Sequence, residues 1–310
     1  MNQEIQSMSA VINEQNVPGK LAILFMSEKG GVGKSTLAVS CVEYLRYLKG
    51  YPTLVVDADV NVRGVVSRYG KYDDQGRLLN NEYQLDDGVV HLESSTQIGF
   101  KPIMQSLKHQ SANYAVIDFG AAEIDAFLAC FPDEESLALQ FRRRGYEVIV
   151  VIPFDDQAGQ AESVGNVIGC LGRSVNYLLA LVPKSMDTFN MLKRQYDEII
   201  REHGHEVFRT SSAYMNGDLR TFLANHTDIK LHDVPEFALK SGEAQSIFDD
   251  NGEDGVDEWA RHYMQQMHGM WDKFFEDFAK YKKKQLSLSL PNASPEITES
   301  AKSSAKGDSK

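Results

Sequence analysis

Along the 310-residue chain, short continuous apolar runs alternate with stretches whose apolar positions recur every three or four residues. "LAILFMS" (21–27), "TLVVDAD" (53–59), "YAVIDFG" (114–120), "YEVIVVIPF" (146–154) and "NYLLALVPK" (176–184) are runs of the first kind. Such runs, lacking polar alternation, predict strands buried on both faces of a sheet. "STLAVSCVEYLRYLKG" (35–50) has helical spacing and closes on Gly50, which predicts a helix with a glycine C-cap. Further helices are expected over about 122–144, 157–171 and 187–203, then near 216–225 and 236–248. Strands alternating with helices imply right-handed crossovers and parallel pairing. The expected fold is α/β: a doubly wound, mainly parallel sheet flanked by helices, with a C-terminal helix.

That last helix should run from about Val256 to Lys284, with Trp259, Tyr263, Met267, Trp271, Phe274 and Phe278 on one wide apolar face. Two readings stand. The face packs on the domain, or it is left open for a membrane or a partner. Acids such as Asp272, Glu276 and Asp277 among the bases of the polar side make an anionic bilayer a poor partner. Between the second and third apolar runs, residues 60–113 are polar and turn-rich, and read as a long excursion suited to a partner surface. Residues 1–18 read as a flexible leader and 286–310, rich in Ser, Lys, Ala and Glu, as a disordered tail; one domain is expected over 19–285.

Composition narrows the class. A formal net charge of −12 argues against coating nucleic acid or anionic lipid except through a local basic patch. Arg142–Arg144 and Lys280–Lys284 are the candidates; each also falls near a helix end, where the dipole favours cations. The three cysteines, Cys41, Cys130 and Cys170, form no CxxC pair, so neither a zinc site nor a disulfide framework is expected. With no basic, apolar leader and no apolar run long enough to span a bilayer, the expectation is a cytoplasmic protein. The histidines show no metal-ligand spacing.

The chemistry concentrates in "SEKGGVGKST" (27–36), which joins the first strand to the first helix. Gly30, Gly31, Val32 and Gly33 let backbone N–H groups turn toward an anion, and the following helix N-terminus adds its partial positive charge. In that context Lys34 reaches the β- and γ-phosphates of a nucleotide, Ser35 ligates Mg²⁺ and Thr36 touches the α-phosphate. The strict GxxxxGK[ST] pattern asks for glycine where this chain has Glu28. An ordinary phosphate loop also needs only one lysine, and this one carries Lys29 as well.

"KGGVGKST" resembles the deviant Walker A of the ParA/MinD-like P-loop ATPases. The resemblance implies ATP and Mg²⁺ as cofactors, and a homodimer in which Lys29 reaches across the interface to the nucleotide of the facing subunit. Reading Lys29 as a surface partner of Glu28 is the alternative. By the same resemblance "VVDADV" (55–60) is switch I, with Asp59 orienting or deprotonating the attacking water and Asp57 supporting the Mg²⁺ shell. "YAVIDFGA" (114–121) resembles Walker B, with Asp118 holding Mg²⁺. Lys29, Lys34 and Asp59 are thus the expected catalytic set, and Ser35, Asp57 and Asp118 the metal set.

The chain also departs from that family. Val60 stands where a proline commonly follows the second switch I aspartate, and Pro183 near where an asparagine reads the base. "HDVPEF" (232–237) falls where relatives have a proline-containing loop beside adenine, so Val234 to Phe237, above all Pro235, become candidates for base contact. Cys130 has no second thiol to pair with as a cluster ligand. The resemblance implies an ATP-dependent dimerisation switch with slow, partner-stimulated ATPase activity, acting in plasmid or DNA segregation or positioning. Such a protein would have a protein partner and non-specific DNA as its surface, and no membrane. The alternative is a nucleotide-regulated accessory protein of a conjugation or plasmid-stability system (StbB- or TraL-like), with little turnover and no DNA contact.

Overall fold

The computed structural model describes residues 19–289, apart from 95, 97–99, 109–110, 156–158, 183–193, 196, 200, 203–206, 214, 216 and 242–254. Seven strands form one sheet: β1 (Lys20–Phe25), β2 (Thr53–Asp57), β3 (Val90–His91), β4 (Tyr114–Asp118), β5 (Tyr146–Phe154), β6 (Asn176–Leu181) and β7 (Val207–Ser211). Their order is β3-β2-β4-β1-β5-β6-β7, and every pairing is parallel. The continuous apolar runs follow from burial on both sides. In β1, Ala22 and Leu24, with Met26 just beyond, enter one core while Leu21, Ile23 and Phe25 enter the other.

The first core is closed by α3 (Lys101–Ser106), α4 (Glu123–Leu128), α5 (Glu134–Arg142) and α6 (Gln160–Leu171). The second is closed by α1 (Lys34–Val42), α2 (Val66–Tyr69), α7 (Gly217–Asn225), α8 (Val234–Ser241) and α9 (Val256–Ser289). Helix α1 runs on into a π-helical stretch, Glu43–Leu48, and Gly50, in the left-handed region at φ 68°, ends it as expected.

The C-terminal helix settles its two readings in favour of packing. Trp271 is fully buried, meets Phe25 edge-on and donates its indole N–H to Ser40 Oγ of α1 at 3.0 Å. Tyr263, Met267, Phe274 and Phe278 are buried in the same core, so the apolar face is covered and not left for a bilayer. The helix continues to Ser289, past the boundary drawn at 285, while 1–18 and 290–310 lie outside the described residues. Among the described residues no helix is long and apolar enough to cross a membrane.

Other boundaries moved for local reasons. The single helix expected over 122–144 is two, because the chain breaks before Pro132 and Asp133 starts α5 afresh. The Asp133 carboxylate accepts from the N–H groups of Glu135 and Ser136, an N-cap that the helical spacing hid. Residues 60–113 are a more structured excursion than expected, holding α2, a 3-10 turn at Asn81–Tyr83, β3 and α3. Strand β7 was not expected; its half-exposed residues alternate too weakly to announce a strand. The helix proposed at 187–203 falls largely outside the described residues, as does the end of the one at 236–248.

Parallel strands put all their C-terminal ends on one side of the sheet. Because β4 lies between β1 and β2, the register sets Asp118 beside Phe25 on one flank and beside Asp57 on the other. The chain leaves β1 toward the β2 side, while β5 lies on β1's other flank. Doubly wound sheets open a crevice where successive connections diverge in this way.

Candidate functional site

A cleft of ≈ 480 Å³ opens at that edge. One end is lined by residues 30–37 with Asp59, Asn61, Val62 and the 121–123 turn. The other is lined by Val182, Ser212, Ala213, Met215, Arg220 and Tyr263. All of Gly30, Gly31, Val32, Gly33, Lys34, Ser35 and Thr36 therefore line one wall. Gly31 and Gly33 hold φ of 73° and 94°, the left-handed region that glycine enters without strain, and Gly33 leads directly into α1.

Lys34 is 7% exposed and donates from Nζ to the Lys29 carbonyl at 2.7 Å. Burial pulls its pKa below the ordinary lysine value, opposed by the charges of Asp118, Asp59 and Glu123 around it. Asp118, fully buried at the end of β4, has neither carboxylate oxygen paired with a donor in hydrogen-bonding geometry. Burial first, then the charge of Asp57, push its pKa well up; the nearby Ser35 hydroxyl and Lys34 ammonium oppose that rise. A buried carboxylate with idle oxygens next to a hydroxyl offers the oxygen ligands that hard divalent cations take, and the Lys34 ammonium beside them is placed for a phosphate and not for the metal. The carboxylate and the hydroxyl fit Mg²⁺. No group of three or more His, Cys, Asp or Glu able to hold a metal exists among the described residues, so remaining ligands would be phosphate and water.

Asp57 behaves differently from the expectation of a metal-shell residue. Its Oδ2 accepts from the N–H groups of Val65 (3.0 Å) and Val66 (2.8 Å), and its Oδ1 from that of Asp59 (3.1 Å). Both oxygens are spent clasping the 58–66 loop and the start of α2. Burial still raises its pKa to about 6, despite the three amide donors. Asp59 lines the cleft, with Oδ1 accepting from the N–H groups of Asn61 (3.0 Å) and Val62 (2.9 Å). The loop turns through Arg63 at φ 51°, a left-handed conformation that costs a non-glycine residue about 1–3 kcal/mol.

Glu123 was missed in the sequence. It is 2% exposed, accepts from Asn61 Nδ2 at 3.3 Å through Oε1, and leaves Oε2 buried and unpaired. Burial and then Asp59 push its pKa up. Gly120 is the contact point of this acidic group: a Cβ there would lie 2.1 Å from Glu123 Oε2 and 2.9 Å from Asp59 Cγ. A side chain there would have to push both carboxylates aside. A lone Glu five residues past a strand carries no periodic signal, so the sequence could not mark it.

Lys29 is half-buried, with Nζ against Gly159 at the start of α6. It makes no ion pair with Glu28 among the described residues; Glu28 Oε2 accepts instead from Asn166 Nδ2 at 3.1 Å. Pro235 is the clear departure. It sits buried in the first turn of α8 and does not line the cleft, nor do Val234, Glu236 and Phe237. Helix α8 packs on α9, and the rest of the cleft wall comes from Val182, Ser212, Ala213, Met215, Arg220 of α7 and Tyr263 of α9. Pro183 lies outside the described residues.

Each basic run is engaged in part, one arginine of 142–144 and two lysines of 280–284. Arg144 donates to the Met104 carbonyl at 3.0 Å and the Gln140 carbonyl at 2.7 Å. Lys280 pairs with Glu276 and Lys282 with Glu147.

No curated protein sequence matches the chain. Among solved structures it is similar to a Borrelia burgdorferi B31 protein assigned to plasmid partition and bound to AMPPNP: 14% identity over 83% of this chain and 99% of that one, TM-score 0.46. It is similar also to the MinD cell division protein of Aquifex aeolicus (19%, 79% and 97%, TM-score 0.44). A third is a ParA family ATPase from Chlorobium tepidum TLS (13%, 78% and 99%, TM-score 0.46). A family profile described as CobQ/CobB/MinD/ParA nucleotide binding domain matches residues 23–210, which take in the glycine loop, both aspartate strands and the sheet around them, and the chain belongs to that family.

Proposed function

We propose that the protein is a Mg·ATP-dependent dimerisation switch with slow, partner-stimulated ATPase activity, acting in DNA segregation or positioning. The observation that carries the nucleotide chemistry is the Asp118 carboxylate: fully buried, unpaired at both oxygens, and set beside Lys34 and Ser35. Burying such a group without a partner is costly, and a bound cation or its water removes the cost. Ser35 and Asp118 would hold Mg²⁺, which when bound neutralises charge on the β- and γ-phosphates. Asp57 is better read as the clasp of the 58–66 loop than as a metal-shell residue.

The 30–36 loop binds the phosphates, with Lys34 swinging from the Lys29 carbonyl to the γ-phosphate. Asp59 orients water for in-line attack on the γ-phosphorus and receives a proton as the bond to the β–γ bridging oxygen breaks. Lys29 supplies positive charge to the nucleotide of the facing copy, where transition-state charge develops. Arg144, Lys280 and Lys282 are engaged within the chain, which shortens the basic stripe that DNA could use and supports a protein partner as the main contact.

Single-turnover hydrolysis of ATP tests the assignment. Lys34→Ala should lose binding, whereas Asp59→Ala should bind Mg·ATP and fail to cleave it. Cleavage by Asp59→Ala at the wild-type rate would overturn the role of Asp59. Binding without cleavage in the wild type, with or without Mg²⁺, would favour the accessory reading in which nucleotide gates a partner.

A further inference from the structure

Three consecutive residues ahead of the glycine loop, Ser27, Glu28 and Lys29, each meet one helix on the far side of the sheet. Ser27 Oγ accepts the Lys29 N–H at 3.3 Å and the Gln160 side-chain amide at 3.4 Å. Glu28 accepts from Asn166 on the same helix. Lys29 Nζ and Cε lie 3.3 and 3.5 Å from where a Cβ on Gly159 would stand. Gly159 holds φ 77°, so a side chain there would be strained and would also crowd the lysine.

Gln160 is 2% exposed and is pinned by a 2.7 Å donation to the Pro153 carbonyl at the end of β5. Its own Oε1 is buried without a partner, as is Ser163 Oγ one turn on. A core that merely needed filling there would be better served by an apolar side chain. An ammonium at a helix N-terminus also gains nothing from the helix dipole, which favours anions at that end.

We infer that the N-terminal turn of α6 is a cradle that sets the position of Lys29, with Gln160 as a positioning residue acting through Ser27 and Gly159 leaving the slot in which the lysine lies. This rests on the reading above that Lys29 acts in the chemistry, but its test does not. The first readout is the acylation rate of the Lys29 amine, followed by mass spectrometry at trace reagent and referenced to Lys71 and Lys273 in the same sample. Gln160→Leu, close in volume, should change that rate by about fivefold, the effect of one lost hydrogen bond of about 1 kcal/mol, and Gly159→Ala should change it by about threefold or more through crowding. The reference lysines should not move. An unchanged Lys29 rate in both folded variants overturns the inference.

The second readout is hydrolysis against binding. Gln160→Leu should lower single-turnover hydrolysis while Mg·ATP affinity stays within about twofold, and the Lys29→Ala/Gln160→Leu pair should be no worse than Lys29→Ala, because residues acting through one group are not additive. Additive losses, or an affinity loss that matches the rate loss, would mean that Gln160 supports the whole loop and would refute the positioning role. If Lys29→Ala hydrolyses normally, the catalytic reading of Lys29 fails, and the acylation rates still decide whether α6 positions it.

Discussion

The two ends of the cleft are built in opposite ways. The glycine-loop end comes from short contiguous segments: one glycine loop and the tips of β2 and β4, which parallel pairing forces together. The other end is gathered from Val182 just after β6, from Ser212, Ala213 and Met215, and from α7 and α9, with Val182 and Tyr263 eighty-one positions apart in the chain. At the first end a contiguous loop forms the wall, so sequence spacing describes it. At the second, side chains meet only because helices pack, and no spacing rule foretells which ones.

The largest test of that contrast is Lys34→Ala. It removes a cation buried among Asp59, Asp118 and Glu123, so both the proposed phosphate contact and a positive charge beside three carboxylates go. The affinity for Mg·ATP should fall by at least about 2–3 kcal/mol, the worth of a charge-assisted hydrogen bond, and calorimetric titration reads it directly. Gly120→Ala comes next. Its Cβ would collide with Glu123 and press on Asp59, costing roughly 1–3 kcal/mol by overpacking, measurable as a lower urea midpoint at unchanged slope.

The other end should respond more mildly and differently. Arg220 is exposed and anchored by a 3.3 Å bond to the Met215 carbonyl. Arg220→Ala should weaken ATP and ADP equally, by no more than about 1 kcal/mol. A changed ATP-to-ADP ratio in that variant would show that Arg220 reaches the γ-phosphate, and the division of the cleft would be wrong.

The smallest effect concerns a link between the two ends. Asp57 fixes the start of α2. From that helix Arg68 donates to the carbonyls of Leu223, His226 and Ile229, and Tyr69 donates to Glu43. His232 meets the same buried Glu43 through Nδ1 at 2.9 Å. The Glu43 hydrogen bond raises the His232 pKa above its ordinary 6.5. That stabilisation is complete below pH 6.5 and fades as pH rises through the raised value. His232→Gln should therefore lie furthest below the wild type in thermal midpoint at pH 6 and approach it at higher pH. A constant gap would show that the ring contributes packing alone.

Legibility followed the same division. The sheet was readable because strands buried on both faces leave unbroken apolar runs, and the order of the aspartates along the chain survives folding. Asp57 shows the limit: its position was evident, but the amides that occupy it belong to Val65 and Val66, and that fact needed the loop's path. Pro235 shows another, since it lies in the first turn of α8, packed on α9, and does not line the cleft. Glu123 and Gln160 lacked any motif. Each matters only through what the fold sets beside it.

The most direct test is molecular mass by light scattering, on wild type and Asp59→Ala, with Mg·ATP, with Mg·ADP and without nucleotide. The account predicts twice the 34.7 kDa of one chain only with Mg·ATP, most completely in Asp59→Ala, where the triphosphate persists. A mass that stays at one chain while ATP is demonstrably bound would contradict the dimer, and with it the reach of Lys29 into a neighbouring site.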